Sequence, residues 1–209
     1  MNKKKLTRES LTELAKRMPV LSEEVQSFYV GGDRYYFDQQ GHYLRTEKSD
    51  DNVIIIGSNE LILSGALDGL GSGNGSGVSF TGAGVSEQLF AFLAQNTTVE
   101  WAYGYNLGQE GGLIGTSNQE HGVDFGNVGS GNWDNYDTLA HNHGQSNNGM
   151  SISELEEFNG LPSQADIDYL IRNNKESGAI YNETTGKMCP FDRYSTTQEE
   201  WLQEHGYEY

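Results

Sequence analysis

The sequence predicts an α/β protein: a mixed sheet flanked by helices in three layers, preceded by a small β-hairpin region. Three observations point to this class. Short runs rich in β-branched and aromatic residues recur along the chain, and two apolar stripes at helical spacing lie among them. In the second half these signals follow the order helix, three strands, helix, strand, an alternation that fits neither a bundle nor a sandwich. The 209 residues suffice for one core of ordinary size, or for a domain with appendages.

The first 32 residues differ from the rest. Lys3, Lys4, Lys5 and Arg8 lead into Leu11, Leu14 and Ala15. That spacing predicts a short amphipathic helix from about Thr7, stopped by Pro19 because proline disfavours helix at the preceding residue. Leu21-Ser22-Glu23-Glu24-Val25-Gln26 then runs into Val30-Gly31-Gly32, and no apolar stretch of signal-peptide length precedes it. This segment resembles the double-glycine leaders of bacterial peptides exported by peptidase-bearing ABC transporters. The resemblance implies an ABC-type exporter as partner, removal of residues 1–32 after Gly32, and secretion. The alternative is a basic helix followed by a glycine turn, on a protein that stays in the cytoplasm.

Residues 34–57 alternate as strands do. Arg34-Tyr35-Tyr36-Phe37-Asp38, a turn at Gln39-Gln40-Gly41, and His42-Tyr43-Leu44-Arg45 predict a hairpin, and Val53-Ile54-Ile55-Ile56 predicts one more strand. So few strands are marginal alone and should pack on something larger. Eight of the twenty residues from Gly65 to Gly84 are glycine, which marks 58–84 as a flexible linker and the best domain boundary. The expected organisation is therefore a leader-like segment 1–32, a small strand region 33–57, a linker 58–84 and a main domain 85–209.

Within that domain, Val85, Leu89, Phe92 and Leu93 form one helical stripe over about 85–95, with Asn96 as a stop. Val99, Trp101, Tyr103 and Tyr105 then share one strand face, while Glu100 points to the other with Ala102 and Gly104. Strands are expected at 113–117 and 138–143, separated by a glycine- and asparagine-rich loop. A second helix fits 163–173, with Ile167, Leu170 and Ile171 inward and Gly178 ending it. Residues 179–182 and 188–191 read as closing strands around Thr184-Thr185-Gly186. Trp201 and Leu202, in a short acidic helix, should cover the core.

Composition narrows the function. The net charge is −17, but residues 1–17 hold six of the thirteen basic residues and two of the thirty acids. The remainder has seven basic against 28 acidic residues, a balance of −21 that repels phosphate backbones and argues against a nucleic-acid partner. No apolar run is long enough for a membrane helix, and the single cysteine, Cys189, excludes an intrachain disulfide framework and a cysteine-built zinc site.

His141-Asn142-His143 is the most informative spot. Alternate strand residues point to the same side, so both imidazoles can reach one ion, and imidazole is a good zinc ligand. Ser163-Gln164-Ala165-Asp166 places a carboxylate at the start of a helix. It could complete a His, His, Asp set with the fourth zinc position open, the arrangement of a catalytic site. The same pair also reads as a helix cap, Ser163 at N-cap and Asp166 at N3. Asp134 and Asp137 read as solvated loop residues, His121 could be a stray ligand but reads first as a loop histidine, and His42 and His205 lack neighbours suited to a shared ligand. Tyr103, Tyr105, Trp133 and Tyr136 could line a substrate groove, with core packing the default for the first two. The letters H-N-H at 141–143 are not the HNH nuclease motif, whose residues are dispersed.

Glu100 on a strand after a helix, then His141-x-His143, then Ser163-x-x-Asp166, resembles the JAB/MPN (JAMM) zinc metallopeptidase family, over about residues 85–192. The nearest flavour is the JAB-like domains of bacterial polymorphic toxins, to which Val99-Glu100-Trp101 and Pro162-Ser163-x-Ala165-Asp166-Ile167 are similar. The resemblance implies a mixed sheet flanked by helices, zinc held by His141, His143 and Asp166, Glu100 as acid/base on the attacking water, and Ser163 as donor to the oxyanion. It implies a peptidase or isopeptidase acting on a peptide or protein. Two departures stand out. Gly144 occupies the place where the family has proline, and 19 residues, 144–162, separate the second histidine from Ser163. That insertion holds Ser153-Glu154-Leu155-Glu156, so Glu156 competes with Asp166 as third ligand; Asp166 is preferred, because the helix that follows Ser163 has the right apolar stripe. A secreted binding or structural module that keeps the fold without catalysis is the alternative function.

Overall fold

In the computed structural model the chain is described over residues 33–49, 52–63, 68–72, 77–82, 84–123, 132–143 and 149–207. The leader-like segment, with its predicted helix and Gly31-Gly32, lies outside the described residues, as does Gly144.

The front hairpin forms as its alternation predicts. β1 (Asp33–Phe37) pairs antiparallel with β2 (Tyr43–Lys48). In the turn, Gly41 takes a φ of +86°, which suits glycine, and Asp38 Oδ1 accepts the His42 backbone N–H at 2.8 Å. β3 (Asn52–Ile56) runs parallel to β1, and β4 (Asn59–Leu63) returns along it after a turn at Gly57-Ser58. These four strands make one mixed sheet in the order β2-β1-β3-β4.

The second sheet has seven strands. It contains β5 (Asp68–Ser72), β6 (Val78–Gly82), β7 (Ala102–Tyr105), β8 (Gly112–Thr116), β9 (Thr138–Asn142), β10 (Ser177–Asn182) and β11 (Lys187–Asp192). Their order is β11-β10-β9-β7-β8-β6-β5, with β9 and β10 parallel and the other neighbours antiparallel. α1 (Glu87–Asn96) precedes β7, α2 (Ile152–Phe158) and α3 (Gln164–Arg172) lie in the crossover from β9 to β10, and α4 (Gln198–His205) follows β11.

Period-two alternation sorts the side chains of this sheet onto two faces. Phe80, Tyr103, Ile114, Ala140 and Tyr181 share a core with Leu89, Phe90 and Leu93 of α1 and with Phe37, Ile54 and Ile56 of the first sheet. The opposite face buries Ala102, Leu113 and Leu139 in one cluster, and Ile180 beneath Ile167 and Leu170 of α3 in another. His141 is two residues beyond Leu139, so it emerges on the α3 face. α4 adds Trp201 and Leu202 to a further cluster with Met150 and Phe158.

Several expectations are corrected. The described parts of 58–84 are sheet rather than linker, because Val78 and Phe80 are buried in β6, which is paired along both edges. The front strands share the core of the main domain and are not a region apart; by their contacts, residues 32–209 group as one compact unit. Phe90 is fully buried on α1 where the stripe named Phe92, and Ile171 is exposed. α3 ends at Arg172, with Asn174 just beyond it at a positive φ of 51°, and Gly178 lies within β10 instead. A side chain at Gly178 would place Cβ 2.6 Å from the Phe191 ring. No helix among the described residues is long and apolar enough to cross a membrane.

Candidate metal centre

The site is built where β9 ends and α3 begins. His141 lies within the sheet, opposite Ala102 of β7 and Ile180 of β10, and His143 follows one residue past the strand. Their Nε2 atoms are 3.0 Å apart. Asp166 brings Oδ1 to 3.1 Å from His141 Nε2 and Oδ2 to 3.1 Å from His143 Nε2.

Asp166 owes its direction to the cap of its own helix. The Ser163 hydroxyl accepts the Asp166 backbone N–H and donates to Asp166 Oδ2 at 2.7 Å, while the Ser163 backbone N–H donates to the same oxygen at 2.7 Å. The cap and the ligand readings of this pair therefore hold together. A carboxylate in the first turn is also favoured by the helix dipole.

Burial disfavours a charge on His141, but the charge and hydrogen bond of Asp166, with the charge of Glu100, outweigh it and raise the imidazole pKa. Burial likewise acts to raise the Asp166 carboxyl. The charges and hydrogen bonds of His141 and His143 overcome this and hold it well below the ordinary carboxylate range.

Glu100, 5% exposed, lies just before β7. Its backbone is pinned by its N–H to Gln119 O at 2.8 Å and by the Thr116 hydroxyl, which donates to its carbonyl at 2.6 Å. Asn142, between the histidines, secures the same segment from the other side. Its Oδ1 accepts the Trp101 N–H at 2.7 Å, and its Nδ2 donates to Glu183 Oε1 at 2.7 Å. Glu100, His141, His143, Ser163 and Asp166 all line one cavity of about 640 Å³.

Most of the other candidates fall elsewhere. Glu156 is exposed on α2 and does not line this cavity. The capping signal of the insertion is Ser151 with Glu154, which starts α2, rather than Ser153 with Glu156. His121 lines the cavity from an exposed position. His42 bonds Asp38 at 3.0 Å, and His205 bonds the Trp201 carbonyl and stacks on its indole. Tyr103 and Tyr105 stack on one another, and Trp133 and Tyr136 join the Leu139 cluster; none of the four lines the cavity. Two contributors had no place in the sequence reading. Asn142 was legible only as a polar residue on a strand, and Gln198, which bonds His143 Nδ1 at 2.9 Å, carried no local signal.

Two imidazole nitrogens and a carboxylate oxygen, all within 4.8 Å of one another, form a donor set that suits zinc. Ligands held at normal zinc distances in a tetrahedron lie roughly 3.4 Å apart, close to the separations here. In donor type and spacing the three side chains fit such an ion.

A mixed sheet that presents a His-x-His strand end to a capping aspartate, with a buried glutamate in the same cavity, defines a JAB-like α/β domain. The sequence model of the family described as JAB-like toxin 1 matches residues 79–171, which supports a JAB-like toxin domain over this stretch. The match runs from β6 into α3 and includes all five site residues named above. Comparison with curated proteins and comparison with solved structures each gave no match.

Proposed function

We propose that the domain hydrolyses peptide or isopeptide bonds of a peptide or protein substrate, with zinc held by His141, His143 and Asp166. The observation that carries this reading is the convergence of the three donors in a cavity whose wall also contains Glu100. A bound zinc supplies the Lewis acidity that activates water at neutral pH. Glu100 takes the proton of the attacking water and passes it to the leaving nitrogen, general acid–base work of a kind usually worth about 10²–10⁴-fold in rate. Ser163 orients Asp166 through its backbone N–H as well as its hydroxyl, so the hydroxyl is able to turn from Asp166 and donate to the oxyanion instead, worth about 3 kcal/mol. As a toxin domain it is suited to export, and residues 1–32 serve as a leader read by an ABC-type exporter and removed after Gly32.

The test is metal content with cleavage. Purified protein should carry about one zinc per chain, lost in the His141→Ala/His143→Ala double variant. A panel of peptide and isopeptide substrates should be cleaved, stopped by chelator and restored by zinc. Full zinc retention in the double variant removes the assignment. Stoichiometric zinc without turnover on any substrate favours the binding module instead.

A further inference from the structure

We infer that α4 belongs to the metal centre, with Gln198 as a positioning residue for His143; this rests on the zinc reading above. The family match stops at residue 171, so nothing in it accounts for residues 197–207 at the site. Yet the first turn of α4 is tied to the site at three points. The Gln198 amide nitrogen lies 2.9 Å from His143 Nδ1 and donates to the Phe158 carbonyl at 3.3 Å. The Gln198 backbone N–H donates to the Pro162 carbonyl at 2.8 Å, immediately before the Ser163 cap. Glu199 Oε2 accepts the backbone N–H of Gln164, the first residue of α3, at 3.1 Å. Trp201 and Leu202, one turn on, are buried against Met150 and Phe158 and anchor these contacts.

The chemistry gives Gln198 a defined task. His143 directs Nε2 at Asp166 and His141, so its ring orientation is governed by what holds Nδ1. A ring whose Nε2 ligates a metal carries its proton on Nδ1 and requires an acceptor there. A glutamine amide has both a donor and an acceptor, so this side chain can hold Nδ1 in the metal-free protein and in the loaded one. His143 stands past the end of β9 and has no ladder neighbours of its own, whereas His141 is paired on both sides within the sheet. The ligand that stands past the strand end is thus the one that α4 braces.

The experiment compares zinc affinity, by competition with a chromophoric chelator, in the full chain carrying no change, His143→Ala, Gln198→Leu or Gln198→Glu. Thermal melting of each metal-free protein accompanies it. Gln198→Leu removes donor and acceptor and should weaken zinc binding by about 10–100-fold, as loss of an outer-shell partner typically does. Gln198→Glu keeps an acceptor for the Nδ1 proton and should bind zinc close to the unchanged chain, even where Gln198→Leu folds poorly. Wild-type affinity in Gln198→Leu would overturn the inference, as would Gln198→Glu binding as weakly as Gln198→Leu. If the unchanged chain binds zinc no better than His143→Ala, the zinc reading fails and takes this inference with it. If only His143→Ala loses zinc, the inference alone fails.

Discussion

Glu100 and Asp166 are both carboxylates in the wall of one cavity, and both act on the charge of His141. They differ in what holds them. Asp166 is locked to two imidazoles and to the first turn of its own helix, which is how a ligand is fixed; Glu100 lines the same cavity outside the three-donor group. Glu100→Gln should therefore lower turnover by about 10²–10⁴-fold while zinc stays bound, because an amide cannot take up the proton of water. Asp166→Asn should lose the zinc. Both are read by metal analysis beside a cleavage assay, and loss of metal from Glu100→Gln would recast that residue as a ligand. Asn142, 2% exposed, supports both halves of the site. Asn142→Ala should cost about 1–3 kcal/mol in denaturant unfolding for the Trp101 N–H that it leaves unpaired. The histidine pair was legible because strand geometry alone puts residues two apart on one side. The preference for Asp166 over Glu156 draws on the apolar stripe after Ser163, but how the 19-residue insertion folds back to bring Asp166 to the histidines is encoded by no local pattern.

Insertion 144–162 shows at the level of elements what a short motif can conceal. Its serines and glutamates resembled a second site signature, but Ser151 and Glu154 form a reciprocal cap that starts α2. Hydrogen bonds from the Ser151 hydroxyl and backbone, then from Tyr207, hold the Glu154 carboxyl below its ordinary pKa. A lowered folded-state pKa contributes stability above the unfolded value, and that contribution is lost as pH falls through the folded one. Ser151→Ala should thus lower the melting temperature at neutral pH by about 2–4 °C, and by less in acid. An equal loss at both pH values would show that the cap does not depend on the Glu154 charge. Glu156→Gln, on the same helix, should leave zinc content unchanged. α3 was legible from its stripe, whereas its end was misplaced at Gly178. That glycine is needed in β10 for the close approach of Phe191, a tertiary demand that a local pattern cannot reveal.

On the scale of the whole molecule, the reading by composition went furthest astray at 58–84, where glycine content suggested a joint and the described residues are strands. Glycine lowers strand propensity, but Val78 and Phe80 bury enough surface to hold β6 between its neighbours. The consequence is a core shared between the two sheets: Phe37 of β1 packs 5.7 Å from Phe80 and 6.2 Å from Trp101, ring centre to ring centre. Trp101 is the residue next to Glu100, so the front strands support the strand entry that carries the proposed acid/base. Two truncation sites that composition makes look alike should therefore behave in opposite ways. Removal of residues 1–32, at Gly31-Gly32, leaves every described residue of the shared core in place. It should leave the melting temperature, zinc content and cleavage activity as they are in the full chain, while abolishing secretion from the native host. Removal of residues 1–63 takes away Phe37, Ile54 and Ile56 and exposes the other side of that core, so the protein should fail to give a cooperative melt. Phe37→Ala, which empties only one position, should cost about 3–5 kcal/mol. Mass spectrometry of secreted protein should find an N-terminus at Asp33. Secreted protein that still begins at Met1 would refute the leader, and a cooperative melt after removal of residues 1–63 would refute the shared core.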